Sequence, residues 1–249
     1  MSGPKKTFVY VGLGCFGLSA VMMGVLLFGM YKVRQWGAGY AAKVEDPATQ
    51  LAETQRILGA KALPDGYGVY LTLPLPFMDT VHISDAPGRQ GKAGGYGERG
   101  FLFYRGPYSP LHDRAYREYL EAKSEDIGMP YLDAFVKSAK LGERIRSGKL
   151  ELGGGTDVRF SSRRANLRGS GGPEEAIINL LAVGCPGGQR ITRVAVWYSP
   201  DPEPGKPVNA ADLRGSAADE SALSAFLGHF QLCQPKTDVV LPTGGSSKK

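Results

Sequence analysis

The longest apolar stretch of the chain covers residues 8–31, which contain no charged side chain, and basic residues flank it on both sides. A helix of this length, at ~1.5 Å per residue, would span ~36 Å, slightly more than the hydrocarbon core of a bilayer at roughly 30 Å. The pattern therefore predicts a single transmembrane helix over 8–31, preceded by a short basic N-terminus over 1–7.

A cleaved signal peptide is the alternative interpretation of this stretch. The apolar run is longer than a signal h-region, and no well-placed A-x-A cleavage site follows it, residues 37–42 being the nearest approach. Cys15 lacks the upstream Leu of a lipoprotein signal, because Gly12 occupies that position. We therefore expect an uncleaved signal anchor in a bacterial-type inner (plasma) membrane.

The orientation of this anchor is not decided by charge, because Lys5 and Lys6 on one side stand against Lys32, Arg34 and Lys43 on the other. A short basic N-terminus before a long apolar run is typical of a signal anchor, which favours an extracytoplasmic domain. Three small residues, Gly17, Ala20 and Gly24, would allow close packing with a second copy of the helix. The alternative is that glycine is simply common in such helices.

After the membrane segment, residues 32–62 are expected to form a membrane-proximal stalk and a linker helix. Asp46 and Pro47 give an N-cap and a first-turn proline, and Gly59 follows the last apolar position. The spacing of Leu51 and Leu58 completes the prediction of a helix over 47–58.

Short segments with alternating or continuous apolar residues predict the strands of a sheet. Two of them, 176–183 and 191–198, are almost wholly apolar, which predicts a central hairpin covered on both faces. The other predicted strands are 67–73, 80–84, 101–105, 149–152 and 156–161.

Apolar residues at helical spacing predict three further helices. One begins at Ser109-Pro110, a second runs from Pro130 to an end by Gly148, and the last covers 219–233. The order of elements predicts an α+β fold over 63–236, in which an antiparallel sheet carries its helices on one face. Residues 237–249 are expected to be a disordered tail.

The net charge of +6 does not by itself indicate a nucleic-acid partner. Residues 1–34 contain four basic side chains and no acidic one, and Lys248 and Lys249 add two more at the C-terminus. The region between is nearly neutral, so nucleic acid is not the expected partner.

One basic cluster is nevertheless concentrated in the predicted strand region: Arg159, Arg163, Arg164 and Arg168. If the domain faced the cytoplasm, this cluster could bind anionic lipid or nucleic acid. The alternative is an edge strand protected by charge.

Two of the three cysteines are Cys185, in the turn of the predicted hairpin, and Cys233, seven residues after Phe226 and hence on the apolar face of the last predicted helix. A disulfide between them would stabilise the domain by about 4 kcal/mol in the chain-entropy model and would indicate an oxidising compartment. The alternative is a pair of buried free thiols.

The sequence contains no catalytic, cofactor or metal signature. The glycine-rich segment 88–97 lacks the Gly-Lys-Ser/Thr that leads into a helix in phosphate-binding loops. An enzyme would need a site formed from dispersed residues, for which the candidates are Asp79, His82, Asp85 and Cys185. Strand alternation places His82 on the opposite face from Asp79 and Asp85, which argues against a metal cluster.

The function expected from the sequence is therefore a non-enzymatic binding or assembly domain, tethered to the membrane and contacting another envelope protein. Loop 85–100 and the proline-rich loop 199–218 are the candidate contact regions. A membrane-tethered enzyme and a cytoplasmic-face domain that uses the four arginines are the alternatives.

Overall fold

The computed structural model of the chain describes residues 46–75, 77–86, 97–124, 132, 139–168, 172–187 and 191–234. The predicted transmembrane helix, its small-residue face and the predicted tail lie outside these ranges. In the described part of the chain, no helix has both the length and the apolarity needed to cross a membrane. The predictions for residues 1–45 remain predictions.

The domain is built on one antiparallel sheet of seven strands in the order β1-β2-β3-β7-β6-β5-β4. The strands β6 and β7 pair as the predicted hairpin, and β7 is the middle strand. The strand bounds are β1 Gly68–Pro74, β2 Asp79–Ser84, β3 Gly100–Pro107, β4 Leu141–Leu152, β5 Thr156–Ala165, β6 Ala176–Gly184 and β7 Ile191–Pro200.

Three α-helices are described in full: α1 Pro47–Leu58, α2 Pro110–Leu120 and α3 Glu220–Leu227. Side chains cap two of them, because Ser109 accepts from the His112 amide and Asp219 accepts from the Ser221 amide. Two short 3₁₀ turns, Gly153–Gly155 and Val208–Ala210, complete the described elements.

Helices cover both faces of the sheet, so the expectation of helices on one face is wrong. On one face, called the α1/α3 face, the side chains of Phe101, Leu181 and Trp197 pack with α1 and α3. On the other, the α2 face, Ile178 and Val196 pack with α2. The two-sided covering explains why β6 and β7 are apolar at nearly every position.

The helix α1 was expected to link stalk and domain, and in the structure it is packed on the sheet. The side chains of Ile57 and Leu58 are fully buried in the core of the α1/α3 face, and the Thr54 hydroxyl contacts the Thr72 hydroxyl of β1. The compact unit begins at Pro47.

The predicted helix from Pro130 cannot extend to Gly148, because β4 begins at Leu141. This strand pairs only with β5, at the edge of the sheet, with register irregularities near Arg144. Its first eight residues are mostly polar and exposed, so they lack the apolar alternation that marks a strand. Most of residues 125–138 lie outside the described ranges.

The helix α3 is shorter than predicted, since it ends at Leu227 and Gly228 caps it. The predicted apolar face is present: Leu223, Phe226 and Leu227 are buried in the core of the α1/α3 face. Phe230 and Leu232 enter the same core from the turns that follow the helix. The segment 228–234 therefore continues over the sheet without being helical.

Candidate functional site

Cys185 and Cys233 form a disulfide with a Cα–Cα distance of 5.4 Å, which confirms the predicted pairing. Cys233 does not lie on the last helix as predicted, because α3 ends six residues earlier. The bridge joins the end of β6 to the segment after α3, and both cysteines pack against the core of the α1/α3 face. It holds the segment 228–234 against the sheet.

The bridge marks one end of the sheet, called here the disulfide end. Four connections lie at the disulfide end: β1–β2, β3–α2, β4–β5 and β6–β7. They lie together because neighbouring strands of the sheet are antiparallel. Among the described residues, four large apolar side chains are exposed, and three of them belong to this end. These are Phe77 at 63%, Tyr108 at 41% and Leu111 at 80% exposed.

Buried charged residues occupy the α1/α3 face near this end. The Arg105 guanidinium contacts the Asp79 carboxylate at 2.8 Å, and both side chains are 1% exposed. Arg193 is the register partner of Arg105. Both arginines donate to the Gln234 carbonyl, at 3.1 and 3.4 Å. Burial and the charge of Arg105 lower the pKa of Arg193 to about 10.

On the opposite face, a cleft of about 330 Å³ opens between α2 and the sheet at the disulfide end. Its floor is formed by the ends of β5, β6 and β7, and α2 with the preceding Tyr108 forms the wall. The side chains that the cleft presents from the α2 face include Tyr108, Asp113, Arg117, Asp157, Arg159 and Thr192.

Asp157 is the distinctive residue of the cleft floor. A Cβ atom built on Gly184, its register partner on β6, would lie 2.1 Å from the Asp157 Oδ1 atom. Glycine at this position therefore lets the carboxylate lie over the neighbouring strand. No described residue forms a hydrogen bond or ion pair with the Asp157 side chain.

The other charged groups of the cleft have partners. Arg117 is paired with Asp113 at 2.9 Å, one helical turn away on α2. Arg159 contacts Glu121, just after α2. Hydrogen bonding from Lys123, with added attraction from Arg159 and Arg117, lowers the pKa of Glu121. These pairs leave the Asp157 carboxylate as the unmatched charge of the described cleft.

Thr192 adds a second unmatched polar group to the cleft. The residue is only 4% exposed, and its hydroxyl has no hydrogen-bond partner among the described residues. Its register partner on β3 is Gly106, so the side chain belongs to the α2 face, beside β6. The cleft therefore offers a carboxylate and a hydroxyl on neighbouring parts of the same surface.

The α2 face also holds a buried histidine away from the cleft. The His82 Nε2 atom lies 3.1 Å from the Tyr198 hydroxyl, and the Tyr70 ring lies 4.7 Å from the imidazole. Burial lowers the pKa of His82 to about 4, so the ring is neutral at pH 7. The arrangement is that of a satisfied core histidine.

The four residues considered for a dispersed catalytic site have four different sets of partners. Asp79 pairs with Arg105 on the α1/α3 face, whereas His82 lies on the α2 face, as strand alternation predicted. Asp85 pairs with Arg99 at 3.4 Å. Cys185 is in the disulfide and so has no thiol to act as a nucleophile.

The four arginines of the predicted basic cluster do not form one surface. Arg159 and Arg163 lie on the α2 face, where Arg163 stacks over the Tyr119 ring at 5.2 Å. Arg164 points to the other face and pairs with Asp201 at 2.9 Å. Arg168 follows the strand and pairs with Glu174 at 3.2 Å. Each positive charge therefore has a local partner.

The proline-rich loop 199–218 is partly built into the fold. Ala217 is fully buried, and its carbonyl accepts from the Asn179 amide group at 2.9 Å. A shallow depression of about 370 Å³ lies beside the loop, lined by residues that include Leu213, Arg214 and Arg146. Of the other candidate contact region, 85–100, residues 87–96 lie outside the described ranges.

Comparison with models of known protein families gives no match, and neither do comparisons with curated proteins and with solved structures. Within the described residues, no group of three or more His, Cys, Asp or Glu side chains is placed to hold a metal ion. Function must therefore be argued from the geometry of the disulfide end.

Proposed function

We propose that this chain is a single-pass membrane protein whose α+β domain lies on the extracytoplasmic side of a bacterial-type plasma membrane. There it serves as a non-enzymatic binding module for another envelope protein. The anchor is the apolar run 8–31, and self-association through Gly17, Ala20 and Gly24 remains a prediction for that segment.

The Cys185–Cys233 disulfide is the observation that carries this proposal. Disulfides persist in oxidising compartments and are rare in the reducing cytoplasm. This one closes a long loop and packs against the core, which is typical of a structural bridge. An extracytoplasmic location supplies the conditions that such a bridge needs.

The exposed apolar side chains of the disulfide end support a binding role. Phe77 lies in the β1–β2 connection, Tyr108 in the β3–α2 connection and Leu111 in the first turn of α2, and Tyr108 lines the cleft on the α2 face. Large exposed apolar side chains at one end of a domain support a protein contact there. The pairing of each cluster arginine with a nearby partner makes the anionic-surface alternative less well supported than this one.

The location can be tested by fusing two reporters after Lys249, one active only outside the cytoplasm and the other active only inside. We expect activity from the outside reporter. Activity from the inside reporter alone would contradict the proposal, because the domain would then face a reducing compartment.

A thiol count provides an independent test on the chain extracted from membranes. Alkylation with a maleimide-polymer reagent under denaturing, non-reducing conditions should add one polymer, at Cys15, and prior reduction should allow three. In a Cys15→Ser variant, no polymer should be added without reduction and two should be added after it. Addition of the full number without prior reduction would show that the bridge does not form in the cell.

A further inference from the structure

The cleft at the disulfide end contains one unmatched charge, and its chemistry identifies a class of ligand. We propose that the cleft binds a primary ammonium group carried on an alkyl chain, with the Asp157 carboxylate as its counter-ion. The lysine side chain of a partner protein is the source that agrees with the surrounding surface. The choice of a protein source rests on the proposed binding function, whereas the ammonium chemistry does not.

The charges of the cleft favour a cation over an anion. Arg117 and Arg159 are each paired with an acidic side chain, which offsets their positive charges, and the Arg159 Nε atom is buried without a hydrogen-bond partner among the described residues. The buried Arg193 lies on strand β7 next to Thr192 and therefore points to the opposite face, where it donates to the Gln234 carbonyl. Asp157 remains without a cation.

A second carboxylate strengthens this preference. Glu151 is the register partner of Asp157 on β4, and like charges placed directly opposite each other across a strand pair are unfavourable. The negative charge of Glu151 is partly offset by Lys149, whose Nζ atom lies 3.4 Å from the Glu151 Oε1 atom. A cation bound beside Asp157 would offset the remaining repulsion.

The position of the carboxylate depends on the glycine at residue 184. A side chain at this residue would occupy the space that Asp157 Oδ1 now fills, so glycine is required for this arrangement. The glycine thus leaves room for the carboxylate over the cleft floor.

The remaining groups of the cleft suit an ammonium. An ammonium carries three N–H donors and no acceptor, and the cleft supplies the carboxylate of Asp157 and the hydroxyl of Thr192 as acceptors. The Tyr108 ring provides an aromatic surface for the cation or for the alkyl chain behind it.

The surface around the cleft favours a protein as the source of this group. Tyr108 lines the cleft and is 41% exposed. A free amine would leave this aromatic side chain in water. A peptide that inserts a lysine would cover it.

The experiment measures binding to the purified full chain in a neutral detergent at pH 7 by ligand-observed NMR. The probes are a short apolar peptide that contains one lysine and has an acetylated N-terminus and an amidated C-terminus, n-butylammonium and, as the anionic counterpart, butyrate. We expect saturable binding of the two ammonium probes and none of butyrate. Tighter binding of the peptide would assign the source to a protein, and equal binding of both ammonium probes would assign it to a free amine.

Three variants test the residues. Asp157→Asn keeps the shape of the side chain and should weaken ammonium binding at least about tenfold, since it removes a charge-assisted bond. Gly184→Ala should have a similar effect by displacing the carboxylate, and Thr192→Val should weaken binding less. Asp65→Asn, at an exposed turn, is the matched control and should bind as the wild-type chain does.

Binding of butyrate as tight as that of n-butylammonium would overturn the proposal, and so would unchanged binding in the Asp157→Asn variant. A chain that fails the reporter and thiol tests but binds ammonium at Asp157 would keep this site and lose the extracytoplasmic function. The two proposals can therefore fail separately.

Discussion

Two sets of polar or charged residues lie at the disulfide end of the sheet, on its opposite faces. On the α1/α3 face, Asp79, Arg105 and Arg193 are buried, and the chain itself supplies their partners, including the Gln234 carbonyl. On the α2 face, Asp157 and Thr192 line an open cleft and have no partner among the described residues. The difference lies in what covers each face.

The α1/α3 face is closed at this end by the segment 228–234, which the disulfide ties to β6. The α2 face has no equivalent cover among the described residues, because α2 leaves the cleft open beside the strand ends. The buried residues of the α1/α3 face therefore serve stability, and Asp157 and Thr192 of the α2 face are available for binding. Substitutions should separate these roles.

Removing the disulfide should have the largest effect on stability. We expect Cys185→Ser with Cys233→Ser to lower the free energy of unfolding by about 4 kcal/mol, because the bridge restricts the unfolded chain. Urea unfolding followed by fluorescence of the buried Trp197 would measure it. Cys15→Ser is the matched control, and an equal loss in that variant would contradict the assignment of stability to the bridge.

Breaking the buried ion pair should have the next largest effect. Asp79→Asn leaves Arg105 and Arg193 buried without a carboxylate, which should cost about 3 kcal/mol of unfolding free energy. The same urea experiment applies. A loss below about 0.5 kcal/mol, the usual range for a surface substitution, would show that the α1/α3 face is not closed as described.

The sheet could be predicted from the sequence largely because apolar residues mark its buried strands. The runs that form β6 and β7 are apolar on both faces, so their central position was evident. Most of β4 was missed, because an edge strand buries little and its residues at 141–148 are polar. The end of α3 was missed because Phe230 continues the helical spacing from a turn.

The cleft could not be predicted, since Asp157, Gly184 and Thr192 are far apart in sequence and are brought together only by the strand register. The one available signal was the glycine that ends an otherwise apolar strand. Cys185 and Cys233 could be predicted as a pair from cysteine count and flanking apolar residues. The four arginines were misleading, because adjacent residues on a strand point to opposite faces.

The buried histidine of the α2 face predicts how stability depends on pH. His82 titrates at a pKa of about 4 in the folded chain and near 6.5 when unfolded, so the unfolded chain binds more protons between these values. The neutral His82 ring therefore contributes fully to the free energy of unfolding above pH 6.5, and this contribution is lost as the pH falls toward 4.

Between pH 7 and pH 5, the His82 contribution should amount to about 2 kcal/mol. His82→Gln keeps a hydrogen-bonding group near the Tyr198 hydroxyl but cannot titrate, so its stability should fall less over this interval. Urea unfolding at both pH values measures the difference between the two chains. Identical pH dependence in both would show that His82 is not the group responsible.

Asp157→Asn should have the smallest effect on stability, and this makes it the sharpest test of the comparison. The carboxylate has no partner to lose within the described residues and faces Glu151 across the strand pair, so neutralising it should change the free energy of unfolding by less than about 0.5 kcal/mol. The same substitution should weaken ammonium binding at least about tenfold.

Asp79→Asn should show the opposite behaviour, with a large loss of stability and folded molecules that still bind the ammonium probe. If Asp157→Asn destabilised the chain as much as Asp79→Asn does, the α2-face carboxylate would be a structural group, and the distinction between the two faces would fail.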